Sequence, residues 1–151
     1  MATMTRALAL ALVLAAAGCG GPPQLSVRIE SIQPWALRAD AESRILGVAG
    51  RAARFWGAGV EQLDGWLVVV MDGVVPCGDS VQVGCTDFWP LQKMTVSALA
   101  GEGWHPSCAE QTLLAHEVGH AILWTAGHDD ARWSLLPAWQ QADVAEHPDC
   151  L

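Results

Sequence analysis

The sequence predicts an α+β fold: a mixed, twisted sheet with one backing helix near the start of the domain and a second helix that carries the chemistry. Three observations predict it. The run GWLVVVM at 65–71 is β-branched, bounded by turn residues and too short for a buried helix, so it reads as a central strand. Two longer segments, 38–56 and 107–126, read as helices from their apolar spacing or their start and stop residues. The order strand, helix, two or three strands, helix, tail shows neither regular alternation nor an internal repeat. Composition agrees: 52% hydrophobic residues and eight Trp can bury a core, which excludes a disordered or coiled-coil chain.

Residues 1–18 form the first segment, with Arg6 ahead of an apolar stretch at 7–17. They read as a secretory leader too short to cross a bilayer. Ala16, Ala17 and Gly18 directly before Cys19 resemble the lipobox of bacterial lipoproteins. That resemblance implies a lipid on Cys19, a short tether over 19–24 and a domain at 25–151 anchored to the outer side of a bacterial membrane. Without the leader, 7 basic residues face 16 acidic ones. Such a balance argues against nucleic acid as a partner, and the lack of any Lys/Arg cluster argues against electrostatic docking to anionic lipid.

Within the domain, residues 25–32 alternate apolar and polar as a half-exposed first strand does, and Pro34 closes it. Residues 38–56 follow as an amphipathic helix, with Ile45, Val48, Ala49, Ala52, Phe55 and Trp56 inward and Arg44, Arg51 and Arg54 on the surface. Gly57 and Gly59 stop it. After the central strand comes CGDSVQVGC, a polar loop between Cys77 and Cys85. An even set of four cysteines in an exported chain favours disulfides, and Cys77–Cys85 with Cys108–Cys150 is the favoured pairing among three. Residues 81–88 hold a further short strand, and the weak alternation of 91–98 suggests an edge strand. Ser107 and Glu110 form a capping box that opens the second helix, which Gly127 ends. Pro137 suits the first turn of a last helix over 137–146.

The second helix carries His116-Glu117-Val118-Gly119-His120. Residues four apart lie about 40° apart around a helix, so both imidazoles face one point and Glu117 stands beside them. That pattern suits Zn²⁺ held by two ring nitrogens, with Glu117 as the base acting on water. The segment AHEVGHAILWTAGHDD at 115–130 resembles the active-site helix and turn of zincin metallopeptidases, the matrix metalloproteinases being the nearest comparison. The resemblance implies a zincin-like domain, a peptide substrate paired with an edge strand (here 91–98), and a zinc peptidase that is a monomer.

Two departures from the family pattern HExxHxxGxxH stand out. The family's Gly and third His fall at Leu123 and Ala126, whereas here Gly127 and His128 come later, and no Met follows Met94 to form a Met-turn. His128 is the preferred third ligand because imidazole suits zinc; Glu146, Asp143 and His147 are the alternatives, from a later helix. Residues 134–137 are expected to supply an apolar floor. Asp129 and Asp130 are candidates to orient a ligand, Arg132 and His147 to support an oxyanion, and Trp124 is the one indole expected near the cleft. His105 reads as a loop residue. The competing reading is a non-catalytic zincin-fold scaffold; a disulfide-stapled adhesin with an accidental motif is the third.

Overall fold

The computed structural model describes residues 24–32, 36–98 and 109–147. The leader, Cys19, Pro34, His105, Ser107, Cys108 and Cys150 lie outside the described residues, as do the expectations attached to them. The fold is α+β. In chain order the elements are β1 (Ser26–Glu30), α1 (Ala41–Phe55), β2 (Leu67–Met71), β3 (Val75–Cys77), β4 (Ser80–Gln82), β5 (Gly84–Asp87), β6 (Lys93–Ser97), α2 (Ala109–Leu123) and α3 (Leu136–Glu146). One sheet has the order β1-β2-β6-β5, and β3 with β4 forms a separate hairpin. β1, β2 and β6 run parallel; β5 runs antiparallel to β6.

Residues opposite one another in a sheet share a face. Two rows therefore face the same way: Val27, Val68, Met94 and Thr86, then Ile29, Val70, Val96 and Gly84. The valines of β2 and β6 and Met94 in these rows are fully buried against Ile45, Val48 and Ala52 of α1 and Leu114, Ala115 and Val118 of α2. Small residues on α1 let the helices approach closely, and the Trp56 indole just beyond its end donates to the Ala115 carbonyl at 3.0 Å. This bond ties the end of α1 to α2 one residue before His116. Gly57 ends the first helix at φ +80°, a region open to glycine. Among the described residues, no helix is long and apolar enough to cross a membrane.

The segment expected to be the edge strand is internal. β6 has β2 on one side and β5 on the other, so among the described residues β5 is the sheet's edge. Thr95 and Ser97, which suggested a solvent-facing side, are buried. Cys85 lies opposite Thr95, and the Cys77–Cys85 disulfide binds the β3–β4 hairpin to this part of the sheet. Two short strands, β4 and β5, occupy the segment expected to hold one.

The second helix also stops earlier than Gly127. Trp124 adopts φ +51° directly after Leu123, and the Thr125 amide donates to the His120 carbonyl at 3.3 Å. The chain thus leaves the helix axis four residues before His128.

α3 is clamped across both other helices. Asp143 is buried and accepts from Arg51 Nε of α1 at 2.6 Å and from Gln111 Nε2 of α2 at 2.5 Å. Arg51 is therefore part of a half-buried ion pair, not a free surface residue. Removing one partner of such a pair leaves the other desolvated without compensation. We expect Asp143→Ala to lower stability by about 3 kcal/mol, which thermal unfolding would read as a midpoint about 6–12 °C lower. An unchanged midpoint would contradict the clamp.

Candidate metal centre

The turn after α2 brings the third histidine back to the first two. His120 Nε2 lies 3.1 Å from His116 Nε2, and His128 Nε2 lies 3.3 Å from the same atom. The ligating atoms of the three rings all fall within 4.8 Å of one another. Two ligands on a tetrahedron with bonds of 2.0–2.1 Å stand about 3.3–3.4 Å apart, so the separations of His116 from His120 and from His128 suit a single ion. A metal ion can be held here.

Tautomers point the same way. The Thr125 carbonyl accepts from His120 Nδ1 at 2.8 Å, which places that ring's proton on Nδ1 and leaves the Nε2 lone pair facing its neighbours. Burial, then the nearby charges of His120 and His128, lower the His116 pKa to about 4. Burial likewise lowers His120, opposed in part by the Thr125 carbonyl. Both rings are neutral near pH 7, the form that binds metal.

Under the three imidazoles lies Trp133. Its ring centroid is 4.8 Å from His116, 4.8 Å from His120 and 4.3 Å from His128. The apolar floor expected at 134–137 is thus supplied chiefly one residue earlier, with Leu136 and Pro137 beside it on the cleft wall. Gly119 makes the arrangement possible. A Cβ there would come 2.5 Å from the Trp56 ring and 2.9 Å from that of Trp133. Trp124, the indole expected at the cleft, packs instead on Trp66 and Phe88.

Glu117 sits between α2 and the edge strand. Its Oε2 accepts from the Thr86 hydroxyl at 2.6 Å. A Cβ at Gly84 would stand 2.4 Å from its Oε1, so the glycine clears the space that the carboxylate occupies. Burial raises the Glu117 carboxyl to about 7, against the opposing Thr86 hydrogen bond. Glu117, His116 and His128 all line a cleft of about 450 Å³ bounded by Gln82–Gly84 on one side and by Leu136 and Gln140 on the other.

Comparison with protein-family models, curated proteins and solved structures finds no match. Among the described residues, Asp143, Glu146 and His147 lie outside the histidine group. Asp143 is taken by Arg51 and Gln111, and His147 stands 4.0 Å from Asp143. Asp130 accepts from the Arg132 backbone and guanidinium rather than orienting an imidazole, a part that the Thr125 carbonyl takes. Arg132 in turn is held by Asp130 and by the Trp56 carbonyl, so its guanidinium is committed away from an oxyanion. Trp133, Thr86 and Gly84 escaped the sequence reading. Only Gly84 had a visible signal, a glycine at the end of a loop where a strand resumes.

Proposed function

We propose that this chain is a zinc-dependent peptidase of the bacterial cell envelope, resembling the zincins, anchored through a lipid on Cys19. The observation that carries the reading is the placement of Glu117: a buried carboxyl beside three converging imidazoles, opening into the same cleft. His116, His120 and His128 would hold the zinc. When bound, zinc would supply a Lewis acid for the scissile carbonyl and lower the pKa of water. Glu117 takes the proton from the attacking water and delivers it to the leaving amine. Thr86 holds the carboxylate to the cleft side by its hydroxyl, and Trp133 keeps the three rings from collapsing into the space beneath them.

The substrate would lie along β5. The Val83 carbonyl accepts from the Ser97 amide, so by the alternation of an antiparallel ladder the main-chain groups of Gly84 and Thr86 point away from β6. An extended peptide pairing with them is β-augmentation beside Glu117. The cleft wall is mostly apolar or neutral, with Leu113, Leu136, Pro137 and Gln140, and it suits an uncharged side chain.

The test is cleavage of a fluorogenic peptide mixture by the purified full chain. Hydrolysis should stop on chelation and return with added zinc; hydrolysis indifferent to chelation would overturn the reading. Gly84→Ala provides a second check. The edge strand tolerates a methyl group, but Glu117 must move from it. We expect unfolding unchanged within about 1 kcal/mol and cleavage reduced at least about tenfold, in line with the cost of misplacing a reacting group by an ångström. Wild-type turnover in this variant would mean that the carboxylate acts from elsewhere.

A further inference from the structure

We infer that the end of the sheet where β1, β2 and β6 begin is a membrane-facing surface, with Trp89 and Leu91 entering the interfacial layer of a lipid bilayer. The inference rests in part on the lipid at Cys19 proposed above. Trp89 is 82% exposed and Leu91 61%, with Trp124 at 52%. Single exposed apolar residues are ordinary, but Trp124 packs in an aromatic cluster with Trp66 and Phe88, and the other two adjoin that cluster in sequence. Phe88 touches Trp124 and Trp66, ring centroids 5.4 and 6.3 Å apart, and Trp89 and Leu91 follow Phe88 in the chain.

The point where the chain leaves for its anchor lies against the same cluster. The Ser26 amide donates to the Trp66 carbonyl at 2.9 Å, and the Leu67 amide donates to the Gln92 carbonyl at 2.9 Å. Ser26, Leu67 and Lys93 stand side by side as the first residues of three parallel strands. Residues 20–25 separate Cys19 from Ser26. Six residues span at most about 20 Å, so a lipid on Cys19 keeps the start of β1 within that distance of the headgroups.

Charge decides what kind of surface it meets. Lys93, the cation nearest the loop in sequence, is paired with Asp87 at 3.0 Å, and the chain carries a net charge of −8. Anionic headgroups offer such a surface nothing. Trp, with an apolar body and one N–H, is suited to the layer between headgroups and acyl chains, and the fit is to zwitterionic lipid.

The full chain, exported and processed in a bacterial host, would be reconstituted into phosphatidylcholine vesicles carrying bromine on the upper acyl chain, and tryptophan fluorescence would be read. We expect quenching that Trp89→Ser removes in large part and Leu91→Ser weakens, with metal content unchanged in both. Replacing a third of the lipid by phosphatidylglycerol should not increase it. Quenching that is absent, or equal in Trp89→Ser and the wild type, overturns the surface. Self-association through the same face, seen as concentration-dependent dimers without quenching, overturns it too. The mass of the N-terminal peptide separately reads the lipid. Should Cys19 carry none, the anchor falls, and flotation with the same vesicles then decides: Trp89→Ser binding about tenfold more weakly sustains the surface, and equal binding overturns it.

Discussion

Replacing Glu117 by Gln is expected to leave one metal ion per chain and lower peptide hydrolysis by about 10²–10⁴-fold, the range for losing a general base. The substitution keeps the size of the side chain and a carbonyl oxygen that can still accept from Thr86. What disappears is the capacity to take a proton from water. Gln introduces an amide N–H₂ near Gly84, where space is short, so a modest stability change is expected but no loss of the fold. Steady-state cleavage beside metal analysis of the same sample separates the outcomes. Metal retained with cleavage lost supports the mechanism; metal retained with cleavage intact assigns the proton transfer to another group. Cleavage absent in the wild type as well, with metal present, would favour the scaffold reading.

The second large effect is on affinity. His120→Ala removes the ring whose Nδ1 is held by the Thr125 carbonyl and whose Nε2 faces His116 at 3.1 Å. Losing even an outer partner of a ligand costs 10–100-fold in metal affinity, so losing the ligand should weaken zinc by at least about 100-fold. His128→Ala should do nearly the same, although His128 is exposed and His120 buried. This comparison isolates the turn after α2. If His128→Ala bound zinc as the wild type does, the third ligand would have to come from elsewhere, and the 3.3 Å approach of His128 to His116 would be coincidental. Zinc titration against a competing chromophoric chelator measures both variants.

What could be read from residue order was whatever depended on local periodicity. The pairing of His116 with His120 follows from helix geometry, and β2 follows from a β-branched run with turn residues at both ends. The Cys77–Cys85 bridge follows from two cysteines around a short polar loop. The rest depended on contacts between distant segments. β6 looked like an edge because Thr95 and Ser97 alternate with Met94 and Val96, yet both faces of that strand are covered. Trp133 reads as one tryptophan among eight until the turn at Trp124 folds it beneath the histidines. Asp143 looked free to serve as a ligand because its partners, Arg51 and Gln111, lie 92 and 32 residues away.

The most direct measurement is the metal content of chain purified without exposure to chelator, by elemental analysis against protein concentration. One zinc per chain is expected if His116, His120 and His128 hold a metal, falling to none in His116→Ala. A wild-type chain that carries no transition metal and takes up none when zinc is supplied would contradict it.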